Sequence, residues 1–371
     1  MKILIMTNYA NGLYLFRKEL IQKFLIAGMT VKVSVPEDEN CKKIEELGCD
    51  IIPTYLERRG NNPIHDLKLF NTYLEILKSE KPDIVLTYTI KPNIYGGLAC
   101  RIKKIPYLCN ITGLGTALEQ KNFLSKILLL FYRVATKKAN CVFFQNYANY
   151  QFMHSQRIGT AHSVLLPGSG VNLQEHPFMP YPDEDKGVNF LSVIRIMKDK
   201  GIEEYLNAAE MMKQKHPDIQ FQLVGEYEEE TRKYYEPWIV RLEQERVIQY
   251  LGHIDNVPEV MADSHIIVHP SYHEGLSNVL LEAAACGRPV LATNVPGCQE
   301  TVLEGVTGLT FDARSTESLV QAMDIILSFT KKEREMMGTQ GRAFVEENFS
   351  RDKVIQSYFQ EIHNIIDSNV V

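Results

Sequence analysis

Residues 264–300 read SHIIVHPSYHEGLSNVLLEAAACGRPVLATNVPGCQE, and the fold is decided in this stretch. IIVHP is a short apolar run stopped by Pro270, which cannot continue a central strand. Gly275 allows a sharp turn, and LSNVLLEAAAC has helical composition until Gly287 and Pro289 end it. PVLAT then restarts as a strand. Glu274 is expected at the mouth of this helix and Glu282 about two turns along it, on one side. A helix N-terminus offers free N–H groups and the positive end of a dipole, which suits a phosphate; Leu276, Ser277 and Asn278 would supply the first of these amides. A carboxylate further on can accept both protons of a vicinal diol such as ribose. The chemistry implied is nucleotide-sugar binding.

Working outward, the same alternation fills the chain. KILIMT, VKVSVP, DIIPTY, DIVLTY, PYLCNI, CVFFQN and HSVLL are strand candidates in the first half, separated by amphipathic segments such as LFRKELIQKFLIAG. NFLSVI, IQFQLVG, VIQYLG, HIIVHP, PVLAT and GLTF form a second series. Strands alternating with helices give βαβ units and parallel sheets, so the expected class is α/β, with two doubly wound, Rossmann-like domains facing across a cleft. QEHPFMPYPDEDKG (174–187), with three prolines and a charge run, is the linker candidate. The expected domains are 1–173 and 188–350, with 351–371 as a C-terminal helix returning to the first.

A chain of 371 residues can bury two full cores, and its apolar and charged fractions are those of a globular protein. The seven cysteines include no CxxC pair, which argues against zinc and a disulfide framework and for a reducing cytoplasm. MKILIMTNYANG is too short in its apolar part for a signal peptide, and no apolar run reaches bilayer length. The net charge of −6 hides a split: residues 1–170 carry 22 Lys+Arg against 13 Asp+Glu, or +9, and the remainder 18 against 33, or −15. Only the first half is suited to an anionic partner. One Trp, no aromatic–basic interleave and an acidic second half give nucleic-acid binding no support.

The 264–300 segment resembles the donor-site signature of family-4 glycosyltransferases, which have the GT-B fold. That resemblance covers most of the chain, most strongly from about 188 to 311. It gives NFLSVIRIMKDKG a meaning: Arg195 at a strand end and Lys200-Gly201 before a helix match the cations that neutralise the diphosphate leaving group. Ile194 departs from the pattern, which has a small residue before the arginine. Gly225-Glu226 resembles a turn near the nucleotide, and Leu251, Gly252 and Val257 the segment under the base. By the same resemblance Glu274 orients the donor sugar and Glu282 binds the ribose.

In the first domain Asn11-Gly12 permits close backbone approach at the first helix start, where donor phosphate or acceptor could bind. Arg17, further along, either faces an acceptor phosphate or is an exposed helix cation. NITGLGTALEQ, with Thr112, Gly113 and Gly115, resembles the acceptor loop of the branch that builds bacterial surface polysaccharide and lipid-linked oligosaccharide. Many family members have a histidine near here, but this chain has none between His65 and His154. In KNFLSKILLLFYRVATKK (121–138), Phe123, Leu124, Ile127, Leu128, Phe131 and Val134 are expected on one helix face. Lys126, Arg133 and Lys137 lie on the other, flanked by Leu129, Leu130 and Tyr132. A helix on an anionic membrane surface and a core helix with a solvated basic face both fit, and the basic first half favours the membrane.

Two patterns are decoys. His265, His269 and His273 recur every fourth residue, but Pro270 denies them one helical face. Asp183-Glu184-Asp185 matches a metal-binding DxD motif but lies among linker prolines and reads as solvated.

The resemblance implies a retaining, metal-independent transfer of a sugar from a nucleotide donor, expected to be a UDP-hexose or UDP-N-acetylhexosamine. The acceptor is the hydroxyl of a glycan, expected to be lipid-linked, in capsule or O-antigen-type synthesis. No cofactor is expected, and the place is the cytoplasm, with peripheral contact at the inner membrane face. Two rivals remain. A GT-B epimerase needs catalytic carboxylates and histidines not found here. A non-catalytic partner subunit would be free to lose Arg195, Lys200, Glu274 and Glu282.

Overall fold

Among the described residues there are thirteen strands: β1 Lys2–Met6, β2 Thr30–Val35, β3 Asp50–Pro53, β4 Ile84–Tyr88, β5 Tyr107–Ile111, β6 Cys141–Phe144, β7 Ser163–Leu165, β8 Asn189–Val193, β9 Gln220–Val224, β10 Gln249–Tyr250, β11 Ile266–His269, β12 Val290–Thr293 and β13 Gly308–Phe311. They come from a computed structural model that describes residues 1–57, 62–114, 123–159 and 161–370. One sheet has the order β3-β2-β1-β4-β5-β6-β7 and the other β10-β9-β8-β11-β12-β13. Every described strand pair is parallel. In each sheet the order reverses beside the first strand, between β1 and β4 and between β8 and β11. Loops leaving the carboxyl ends of strands at such a switch point are where ligands bind.

Both faces of each sheet are covered, so the strands read as continuous apolar runs rather than alternating ones. Alternation survives in which core a residue joins. Ile3 and Ile5 pack on one side of the first sheet, Leu4 and Met6 on the other; Phe190 and Leu191 divide likewise in the second.

The chain divides into two units, Met1–Ser169 with Asp352–Val371, and Gly170–Arg351. In the first unit, Val354, Tyr358, Ile362 and Ile365 of the helix Arg351–Val370 join the core of β1 and β2.

Residues 174–187 differ from a linker: they are a strap on the second unit. Arg288, fully buried, donates to the carbonyls of Met179 (3.2 Å) and Pro180 (2.7 Å) from the strap, and to those of Met261 (3.1 Å), Ala262 (2.8 Å) and Gly287 (3.1 Å). His265, also buried, accepts from Asn189 N at Nδ1 (3.0 Å) and meets Asp183 O at Nε2 (3.1 Å). Glu184 takes both its hydrogen bonds from Arg334 Nη2, at 2.7 and 2.8 Å, while Asp183 pairs with Lys331. Prolines keep this segment out of regular structure, but its carbonyls and acids are used.

Candidate functional site

Beyond β11, Pro270 turns the chain into an extended segment across the sheet edge. Thr293 Oγ1 donates to Ser271 O (2.5 Å), and Tyr272 donates its amide to Asp199 O (3.0 Å) and its hydroxyl to Glu204 (2.7 Å). Glu274 follows this pinned segment, and its carboxylate converges with two cation-forming groups. Lys200 Nζ lies 2.5 Å and His269 Nε2 3.0 Å from Oε1, and Lys200 also reaches Ser271 Oγ at 3.3 Å. Side-chain exposures of 19 % for Lys200, 17 % for Glu274 and 3 % for His269 make this a sheltered cluster, where such bonds are strong. Burial by itself would raise the Glu274 carboxyl. The hydrogen bond from His269 and the charge of Lys200 outweigh it and hold the group far below the usual carboxylate range.

The lysine is delivered by Gly201. It has φ +73°, and a Cβ there would stand 2.1 Å from Pro270 O, so the turn after β8 can lie against the turn after β11 only without a side chain. Gly225 does the same between β9 and β8: with φ +149°, its Cβ would meet Ile194 O at 1.8 Å. Ile194 itself is 5 % exposed and packs in the core, so the departure from the family pattern is accommodated inward. Arg195, next in line, is half exposed and pairs with Glu228 at 3.1 Å. Gly225 N bonds Gly252 O (2.9 Å), and Leu251 and Val257 pack on the adjoining core, so these expected nucleotide-contact residues cluster at one edge.

The helix expected at the donor site is shorter than its composition suggests, spanning Asn278–Ala285. Glu274 therefore stands four residues ahead of the helix and Glu282 on its second turn, so a shared helical face does not relate them. Ser277 is the N-cap: its hydroxyl accepts from Leu280 N, and its own amide is bound to Gly297 O at 2.8 Å. Its amide is thus not available to a phosphate, and Leu276 is buried in the core. The first amides of the helix belong to Asn278 and Val279. Glu282 is 4.0 Å from His176 Nε2, on the strap.

In the first unit Arg17 is 3 % exposed, not a surface cation. It lies over the rings of Tyr88 (5.3 Å) and Tyr358 (5.9 Å). Gln145, with its amide oriented to satisfy its neighbours, accepts from Arg17 Nη2 (3.2 Å) and donates to Thr112 O (3.1 Å), which ties Arg17 to the expected acceptor loop. A Cβ on Gly113 would meet open space, whereas one on Gly12 would meet the Tyr9 ring at 2.9 Å. Gly12 lies within the helix Ala10–Ile26 rather than before it. Gly115 lies outside the described residues.

The apolar face expected on the helix Phe123–Thr136 is split: Leu128 packs against the core, Phe131 and Val134 do not, and the side chains of Phe123 and Leu124 lie outside the described residues. Tyr132, Ala135 and Thr136 are buried, whereas Leu130 (54 %), Phe131 (42 %) and Val134 (37 %) are exposed along with Lys126, Arg133 and Lys137. Tyr132 can take the core position because it caps the cluster of Tyr107 and Cys109.

Sequence reasoning missed His269 as a partner of Glu274, having weighed it only as a metal ligand. The signal was its place as the last strand residue before Pro270, where a side chain is aimed past the sheet edge. His176 and Glu228 were missed because strap and loop pairings carry no local pattern.

Two known families match this chain: the one described as Glycosyl transferase 4-like over residues 2–146, and Glycosyl transferases group 1 over residues 179–344. The chain is similar to the N,N'-diacetylbacillosaminyl-diphospho-undecaprenol alpha-1,3-N-acetylgalactosaminyltransferase of Campylobacter jejuni, with 26 % identity over 98 % of this chain and 100 % of that one. It is also similar to the capsular polysaccharide biosynthesis glycosyltransferase CapM of Staphylococcus aureus, with 23 % identity over 91 % of this chain and 90 % of that one. Among solved structures, Anabaena HepE in complex with UDP superposes with a TM-score of 0.82 at 17 % identity, covering 98 % of this chain and 100 % of that one.

Proposed function

Since this chain belongs to the group 1 and 4-like glycosyltransferases, with the GT-B fold, we propose that it moves a hexose or N-acetylhexosamine from a UDP-sugar to a hydroxyl of a lipid-linked glycan, with retention of configuration and without a metal. The observation that carries this reading is the sheltered Lys200–Glu274–His269 cluster at the switch point of the second sheet. Glu274, held ionised, is suited to accept hydrogen bonds from donor hydroxyls. As the anomeric C–O bond breaks, its electron pair passes to the diphosphate. Lys200, Arg195 and the amides of Asn278 and Val279 are placed in this reading to stabilise that charge, and Glu282 to bind the ribose. The acceptor hydroxyl forms the new bond, and its proton passes to the departing diphosphate oxygen. A diphospho-undecaprenol acceptor in the Campylobacter relative supports a lipid-linked acceptor here.

The exposed Leu130, Phe131 and Val134 beside Lys126, Arg133 and Lys137 support contact with an anionic inner-membrane surface, where such an acceptor resides. Among the described residues no helix is long and apolar enough to cross a membrane. A thermal-shift series with UDP, GDP, ADP and their common sugars, with and without Mg²⁺, tests the donor reading. A metal-independent rise in Tm with UDP or a UDP-sugar is expected. No rise with any nucleotide would overturn the donor assignment.

A further inference from the structure

Arg17 is buried without a counter-charge. Nη1 donates to Phe16 O at 2.7 Å, Nη2 to Gln145, and the guanidinium rests on two tyrosine rings. Nε is buried with no partner; the groups that act on the guanidinium are the hydroxyls of Tyr88 and Tyr358, and among the described residues no carboxylate pairs with it. Other buried ions among the described residues have an opposite charge or a full set of acceptors: Arg288 has five carbonyls, Arg334 has Glu184 although its Nε too lacks a partner, and Glu274 has Lys200 and His269. An arginine does not shed its proton, so an unpaired one costs stability in every folded molecule.

A second, independent observation lies one residue beyond Tyr88. Thr89 has φ +71°, a strained region for a β-branched residue, and its Oγ1 is buried with no partner. Both residues lie at the carboxyl edge of the first sheet, where β4 ends beside β1. The helix Ala10–Ile26 starts at the same edge. Its N-cap, Tyr9, makes no side-chain capping bond, and its first turn has no acid.

We propose that this edge is a binding site for a substrate diphosphate, with Arg17 as its counter-ion and the Thr89 hydroxyl as a further donor. The site rests on the glycosyltransferase reading, since a nucleotide-sugar and a lipid-linked acceptor both carry a diphosphate. It assigns that group a second, separate recognition point in the first unit. Keeping the fork of an arginine rather than a lysine fits two phosphate oxygens.

The test uses the full chain, saturated with UDP, and inorganic pyrophosphate as the probe. Wild type is expected to show a further rise in Tm with pyrophosphate. Arg17→Met is expected to lose that rise while keeping the UDP response, which identifies an acceptor diphosphate. Loss of the UDP response in the same variant identifies the donor's. The ligand-free melting temperature of Arg17→Met should equal or exceed that of wild type, because a lone buried charge is replaced by an apolar side chain of similar length. Arg17→Lys, which keeps the charge and loses the fork, should bind pyrophosphate about tenfold more weakly, and acceptor KM should rise more than kcat falls. Wild-type responses to both ligands in Arg17→Met, together with a lower ligand-free Tm, would show a purely structural arginine and overturn the proposal. So would a UDP-saturated wild type indifferent to pyrophosphate whose UDP response is unchanged by Arg17→Met. That result leaves the glycosyltransferase reading standing on UDP binding, whereas failure of UDP to bind wild type strikes the reading itself.

Discussion

The two sheets share one strand order over six strands, the first adding β7 at its edge, but their switch points hold opposite charges in opposite conditions. In the second unit a sheltered carboxylate, Glu274, is met by a lysine at 2.5 Å and a histidine at 3.0 Å. In the first a buried cation, Arg17, is met by two aromatic rings, a carbonyl and an amide. One edge is electrostatically complete before any ligand arrives; the other is short of negative charge. The first 170 residues carry a surplus of basic residues and the remainder a surplus of acids, so the local contrast follows the global one. A transferase has use for both conditions. In the proposed reading the preorganised cluster would hold donor hydroxyls without rearranging, and the incomplete one would be completed by the substrate.

The comparison breaks most severely at Glu274. Glu274→Ala removes the acid from between Lys200 and His269 and makes the second edge as unbalanced as the first. Transfer measured with radiolabelled donor should fall by about 10²–10³-fold, while circular dichroism stays that of wild type; full activity would sink the assigned role. Gly201→Ala attacks the delivery of Lys200 rather than its charge. A Cβ 2.1 Å from Pro270 O forces the two turns apart, which should cost about 1–3 kcal/mol in denaturant unfolding and also lower turnover.

Arg288 sharpens the contrast with Arg17, since both are buried and acid-free but only Arg288 has a carbonyl for each donor. Arg288→Met should destabilise by about 3 kcal/mol, through orphaned carbonyls in the strap and around Gly287, where Arg17→Met should not. Equal melting temperatures for the two variants would remove the distinction between a satisfied and an unsatisfied arginine.

A smaller effect appears with acid. The Glu274 carboxyl is depressed in the folded protein, so its contribution to stability is fully present above the ordinary carboxylate pKa. That contribution is lost as pH falls below about 4.3 toward the lower folded value. Glu274→Gln should flatten the acid limb of a Tm–pH profile there and leave the neutral region parallel to wild type. Smallest is the surface effect. Lys126→Gln, Arg133→Gln and Lys137→Gln together should weaken co-sedimentation with phosphatidylglycerol vesicles by about 1 kcal/mol per charge, with no change in transfer to a water-soluble acceptor.

Much of this was legible because strand composition is local. Each of the thirteen described strands was marked by an apolar run, since sheets covered on both faces demand such runs. Lys200, Glu274 and Glu282 were marked by neighbouring glycines and prolines that fix turns. The helix after Glu274 was misjudged because LSN has no helix-breaking residue; the start was set by Ser277, whose amide Gly297 takes from a turn twenty positions away. On the helix Phe123–Thr136, an apolar count could not tell core from surface, because Phe131 and Tyr132 are adjacent and only packing chose Tyr132.

Local pattern marked the class of fold, two parallel-sheet halves and the turns that carry Lys200 and Glu274, because alternation, turn formers and short motifs act within a few positions. Tertiary structure alone decided that His269 turns to Glu274, that the proline-rich strap is bound by Arg288, and that Arg17 is buried without an acid. Those outcomes depend on which side chains from distant segments share one small volume, where desolvation makes every unmatched charge count, and no local pattern records that.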